Sequence, residues 1–244
     1  GIYLNNNLIY SDSIPLFALF FKIFNFILPD NFQYFSLWIL FSIYLQGLIS
    51  YLIIFRITKS INFSLVGSIF FIFSTIMIHR ITEYPQLSGH WIILLFLYTE
   101  LLDKNKKFIS QNIVILLSLL IQFYFTLILL MIFFINQFYN LILKQKSLNS
   151  VLKHSFLVLI SAIVAMFIFG YFQISPDDGL GWGYGFYNLN LNSFFNPFGE
   201  TNTKISWSNF LSVKPLQNGE MEGFSYLGVS GIIFLVLFLK HIFF

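Results

Sequence analysis

From Phe108 to Leu143 the chain runs FISQNIVILLSLLIQFYFTLILLMIFFINQFYNLIL without one Asp, Glu, Lys or Arg. As one helix, at about 1.5 Å per residue, it would overreach a hydrocarbon core of about 30 Å. As two helices it would cross such a core twice. Water is a poor solvent for either, and the rest of the chain agrees. Hydrophobic residues make up 57% of the 244, charged residues 9%, and the mean hydropathy is +0.80. A soluble domain carries roughly 25% charged residues. There is too little charge here to cover a water-facing surface, so lipid must be the main solvent.

The apolar runs predict an all-α membrane protein, a polytopic helical bundle. Phe35 to Phe55 is one span, Ile61 to Ile78 a second and Gly89 to Leu102 a shorter third. We divide the long run near Gln122–Tyr124 into two short helices. Val151 to Phe172 follows, and Tyr226 to Phe243 is last. With this division, Arg56, Lys59, Lys104, Lys106, Lys107, Lys144, Lys146, Lys153 and Lys240 fall on one side. These are nine of the 13 basic residues. The positive-inside rule makes that side cytoplasmic. Ile14 to Leu28 is short, contains Lys22 and Asn25, and reads as an interfacial amphipathic helix on the outer leaflet. A tilted short crossing is the alternative, and it would invert Gly1–Ser13. The expected organisation is an extracytoplasmic loop with this helix over residues 1–34, transmembrane helices over 35–172, an extracytoplasmic lid over 173–225, and a last helix over 226–244.

The lid holds ISPDDGLGWGYGFYNLNLNSFFNPFGE, from Ile174 to Glu200. Its aromatics are too apolar to stay solvated, so it should fold onto the bundle mouth. Asp177-Asp178 reads as an acidic turn, since adjacent acids lack the spacing of a metal motif. Glu222 should sit where the chain re-enters the membrane. Asp12 is either part of a helix cap before Pro15 or a carboxylate able to take a proton from an acceptor hydroxyl. His79-Arg80, Glu83 and His90-Trp91 admit three readings: interfacial anchoring, a metal site, or phosphate capture by the guanidinium. Apart from Glu100 at the end of the third run, no acid lies inside a span, and no inverted repeat is visible, which disfavours an ion-coupled carrier. P-loop, GxSxG and HExxH patterns are absent. The net charge of +3 gives no reason to expect a nucleic-acid partner. No cysteine is present.

Four blocks in order, YSDSIPLFALFFKIF with FQYFSLWIL, Arg80 through Leu87 to His90-Trp91, GYGFYNLNLNSFFNP, and EGFSYLG, resemble a bacterial family of polytopic membrane proteins. It is a family of unknown function grouped with the GT-C glycosyltransferases. The resemblance departs at Tyr84, where the family pattern has a histidine. A GT-C enzyme also carries a key aspartate in the loop after its first span, and that span is missing here, so the chain is expected to be a piece of a longer protein and inactive alone.

The resemblance implies a GT-C-like bundle in the bacterial cytoplasmic membrane with its active face extracytoplasmic. The implied reaction moves a sugar from a polyprenyl-phosphate carrier to an acceptor. Asp12, the catalytic candidate of this chain, would be a secondary acid or acceptor-orienting group. Arg80 and His90 would hold the lipid phosphate, and Trp182, Tyr184 and Glu222 would shape the sugar or acceptor site. The partners are the bilayer, a lipid-linked sugar donor and an acceptor. No cofactor is assigned, though a divalent metal is compatible with the chemistry. The rival class is a non-catalytic membrane protein that binds or assembles lipid-linked glycans.

Overall fold

The computed structural model of the chain describes residues 9, 12–173, 190–197, 206–208, 210 and 223–243. Trp182, Tyr184, Glu222 and the Asp177-Asp178 pair lie outside them, as does most of the expected lid. The described residues form helices and turns, with no strand among them. In chain order the helices are α1 (Pro15–Lys22), α2 (Phe35–Thr58), α3 (Ile61–Ile72), α4 (Thr75–Glu83), α5 (Trp91–Thr99), α6 (Lys104–Leu119), α7 (Phe123–Ile142), α8 (Leu148–Ile168) and α9 (Gly228–Phe243). Short 3-10 helices occupy Pro85–Ser88 and Leu191–Phe194.

Among the described residues, three helices are long and apolar enough to cross a membrane. They are α2 with 24 residues, α7 with 20 and α8 with 21, or roughly 36, 30 and 31 Å at 1.5 Å per residue. α3 and α4, interrupted at Phe73–Ser74, make a fourth if they are counted as one broken span. The long uncharged run does divide: α6 ends at Leu119 and α7 begins at Phe123. The expected third crossing is shorter than a span. α5 has nine residues, about 14 Å, less than half of a hydrocarbon core.

The chain forms two compact units, residues 1–71 with 84–174 and residues 72–83 with 175–244. In the first, α5 is the inner helix. It packs against α2, α6 and α7, and α6 packs in turn against α7 and α8. Trp91, Ile92, Leu94, Phe96 and Thr99 of α5 are buried, as suits a helix that is apolar on every side. The outer helices turn their polar and small residues inward. α2 buries Trp38, Ser42, Gln46, Ile49 and Ser50, spaced along one helical face, while Leu37, Leu40, Phe41, Tyr44 and Leu48 face out. α3 buries Ser64 and Ser68 and exposes Phe63, Leu65, Val66, Ile69 and Phe70. α8 buries Val151, Val158, Ala162 and Ala165. Such an inside-out pattern fits lipid, where close backbone approach and internal hydrogen bonds drive helix association. The buried hydroxyls largely bond back to their own helix: Ser50 Oγ to Gln46 O at 2.6 Å, Ser118 Oγ to Ile115 O at 2.6 Å and Thr99 Oγ1 to Phe96 O at 2.6 Å.

In the second unit, Met77 and His79 of α4 are buried together with Phe224 and Tyr226. The His79 ring lies 4.5 Å from that of Phe224, which also meets Trp207 at 5.9 Å. Thr75 Oγ1 donates to Tyr226 O, and Leu227 N donates to Phe194 O at 3.2 Å. Gly228 takes φ +76 at the start of α9, a conformation that favours glycine.

The chain has no cysteine, so single cysteines report topology directly. Asn31→Cys and Lys59→Cys flank α2 and should react with an impermeant thiol reagent from opposite sides of the membrane, with Gln145→Cys reacting from the Lys59 side. Reaction of the first two from one side would remove α2 as a crossing.

Candidate functional site

The break between α6 and α7 organises the first unit. Leu120 and Ile121 close α6 with turns to Leu117 O and Ser118 O, and the Gln122 side chain caps α7 by accepting from Phe123 N at 3.2 Å. Two carbonyls at this break are met from elsewhere. Tyr171 Oη donates to Leu119 O at 2.6 Å, and Leu16 N donates to Leu120 O at 2.7 Å. The second bond pins the start of α1 to the bundle. Ile14, the residue just before α1, is 0% exposed, and Pro15 is buried behind it. α1 therefore starts with Ile14 as its N-cap and Pro15 in the first turn, where the missing N–H costs nothing. The Tyr34 ring stands at the start of α2, and burial raises its phenol pKa, partly offset by a backbone hydrogen bond from Ile14.

Asp12 stands exposed just ahead of that anchor. Its Oδ1 accepts from Gln86 Nε2 at 3.0 Å. The carboxylate is thus committed across the unit to the Pro85–Ser88 turn, while the α1 cap position belongs to Ile14. That turn is itself clamped. Trp38 Nε1 donates to Pro85 O at 2.8 Å, and Ser88 Oγ donates to the same oxygen at 2.7 Å. Gln86 and Ser88 are buried. Gly89 follows at a point of close approach: a Cβ there would lie 2.9 Å from Ile121 Cγ2, 3.1 Å from Phe125 Cε2 and 3.2 Å from Trp38 Cζ2. His90 then opens α5, with its ring edge-on to Phe125 at 5.8 Å. Trp38 and Trp91 meet at 6.3 Å, so α2 and α5 start at the same end of the unit.

Of the residues singled out from the sequence, Asp12 and His90 flank this one connection. Arg80 is half-buried on α4 in the second unit, beside His79, whose ring is occupied by Phe224. Trp182, Tyr184 and Glu222 lie outside the described residues. Among the described residues no three His, Asp or Glu side chains gather as a metal-binding group. Gln86, Trp38, Ser88 and Gly89 are the members that sequence reasoning passed over. The only local signal was a proline and a glycine bracketing a polar stretch within the Arg80 to Trp91 block.

The described residues thus define a helical protein with three helices able to span a membrane and a tethered carboxylate where two of its helices begin. The chain belongs to the family described as a domain of unknown function, DUF6311, whose model matches residues 2–243. No curated protein and no solved structure matches it.

Gly89→Ala forces a methyl group onto Ile121, Phe125 and Trp38, and overpacking of this kind costs about 1–3 kcal/mol. It should lower the unfolding midpoint in detergent, whereas Ser36→Ala, on the exposed face of α2, should not. Equal midpoints would show that the Pro85–His90 connection is slack.

Proposed function

We propose that the protein is a membrane glycosyltransferase that moves a sugar from a polyprenyl-phosphate carrier to an acceptor hydroxyl outside the cytoplasm. The observation that carries this reading is the hydrogen bond from buried Gln86 to exposed Asp12. A general base must be open to its substrate yet held in place. Asp12 has both properties: one oxygen is tied to a clamped turn, and the residue is exposed. In the reaction the acceptor oxygen bonds to the anomeric carbon and its proton passes to the Asp12 carboxylate. The bond from that carbon to the phosphate oxygen breaks, and the polyprenyl phosphate leaves with the electron pair. His90, at the same connection, supplies a hydrogen-bond donor for the developing phosphate charge. The inside-out helices of the first unit supply the apolar surroundings that an isoprenoid chain needs.

The test uses the full-length protein in membranes with a set of radiolabelled polyprenyl-phosphate hexoses and pentoses. Asp12→Asn should lower the transfer rate by roughly 10²–10⁴-fold, the usual contribution of a general base, while donor binding is kept. Gln86→Leu should lower the rate less and leave the donor affinity unchanged. A wild-type rate in Asp12→Asn, or no transfer by the wild type from any donor in the set, would sink the reading.

A further inference from the structure

A second polar cluster lies at the other end of α5, and the transferase chemistry makes no use of it. Glu100, just past the end of α5, forms an ion pair with Lys107 of α6 and accepts from Gln111 Nε2. Its Oε1 also accepts from Asn136 Nδ2 of α7 at 2.6 Å. The carboxylate is therefore matched in charge by Lys107 and occupied by two amides. Beside it is a cavity of about 280 Å³, lined by Lys107, Gln111, Asn140, Gln145, Lys146 and His154 and closed on one side by Phe108. With Lys107 and Glu100 cancelling, Lys146 is the charge left over among the described lining residues. The acceptor described for its Nζ is one neutral oxygen, Gln137 Oε1, at 3.1 Å. His154 has its Nδ1 3.3 Å from Ser150 Oγ and its ring 4.4 Å from that of Phe108.

Gln111 Nε2 and Asn140 Nδ2 already donate to Glu100 Oε1 and Asn136 O, so the groups that would meet a ligand are Lys107 of α6, Lys146 of the α7–α8 turn and His154 of α8. No lining residue is acidic, and the neighbouring Glu100 is already neutralised. A tetrahedral anion with several acceptor oxygens can meet such a set at once, and lysine binds phosphate as a point charge. The volume holds a phosphate with water to spare, since a water's share is about 30 Å³. The cavity also lies at the ends of α7 and α8, two helices long and apolar enough to span, where phospholipid headgroups would be found. Basic pockets between membrane helices are suited to such headgroups.

We infer that the cavity between Lys107, Lys146 and His154 binds a phosphate group, carried either by an anionic lipid headgroup or by a soluble phosphorylated molecule. Two effects act against the Lys146 ammonium there. Burial lowers its pKa first and the charge of Lys107 second, with Glu100 opposing. A bound phosphate would offset both costs. The inference is independent of the glycosyltransferase reading, because it uses none of the residues around Asp12.

The test follows thermal unfolding of the full-length protein in nanodiscs. One arm adds inorganic phosphate to phosphatidylcholine discs, against chloride at equal ionic strength. The other replaces part of the phosphatidylcholine with phosphatidylglycerol. A ligand of the folded state raises the midpoint, so the wild type should rise by several degrees in at least one arm. Lys146→Gln should lose at least half of that rise, while Lys153→Gln, an exposed residue of α8 with the same change of charge, should keep it. A response to inorganic phosphate identifies a soluble ligand, and a response to the anionic lipid alone identifies a headgroup. Should Lys146→Gln fail to fold, His154→Gln reads the same difference. No rise in the wild type in either arm, or a loss of less than half in the pocket variant, overturns the inference.

Discussion

Hydrocarbon offers no hydrogen bonds, so each interruption of a membrane helix must be satisfied by the protein itself. The break between α6 and α7 meets that demand with Tyr171 on Leu119 O and the Leu16 N–H on Leu120 O. Much of the first unit follows from those two bonds. They allow the long uncharged run to fold back as two helices. They bring the Tyr171 end of α8 against the end of α6. They also draw the start of α1 into the bundle, burying Ile14 and setting Asp12 beside the Pro85–Ser88 turn. An unsatisfied buried carbonyl costs roughly 1–3 kcal/mol, so the α6–α7 corner is stable only with its partners in place.

Packing in the unit obeys the same solvent. Lipid tails are as apolar as leucine, and burying an apolar face gains little between membrane helices. What associates them is close contact and internal polar bonding. Ala162 and Ala165 of α8 let it approach its neighbours, and Ser161 Oγ reaches Asn112 Oδ1 of α6 at 2.8 Å. Ser118 Oγ and Thr126 Oγ1, 2.8 Å apart, join α6 to α7 just inside the break. Gln46 of α2 reaches toward Phe71 O near the end of α3, at a long 3.5 Å. These bonds are few, but each removes a polar group from hydrocarbon.

The spans of α2, α7 and α8 were legible because a continuous apolar run of bilayer length is rarely stable anywhere but in lipid. The division of Phe108–Leu143 was legible too, from length alone, and the capping role of Gln122 accounts for where it falls. The burial of α5 was not. Trp91–Thr99 is apolar on every side, and such a pattern reads alike whether the helix faces lipid or other helices. At the candidate site, Asp12 stood out as a carboxylate just before Pro15, but its local pattern argued more strongly for a helix cap. Only the fold, by giving the cap to Ile14, sends the carboxylate to Gln86. A lone glutamine carries no signal in sequence. Nor do Glu100, Gln111 and Asn136, which are dispersed along the chain and become neighbours only when α6 and α7 fold beside the end of α5.

The two polar clusters of the first unit stand at opposite ends of that helix, and their chemistry differs in a way its dipole favours. A helix C-terminus carries partial negative charge and prefers cations nearby. The end of α5 has Lys107 and, close by, Lys146, and Glu100 is tolerated there because Lys107 and two amides hold it. The start of α5 carries partial positive charge, and the group placed near it is the Asp12–Gln86 pair, in the turn just ahead of His90. Reversing the two clusters would oppose both ends of the dipole. α5 is nine residues long and packs against α2, α6 and α7, so it cannot slide without disturbing both clusters together. The shortness that keeps α5 from crossing a bilayer alone is thus what lets one inner helix hold a tethered carboxylate at one end and stand beside a basic cavity at the other.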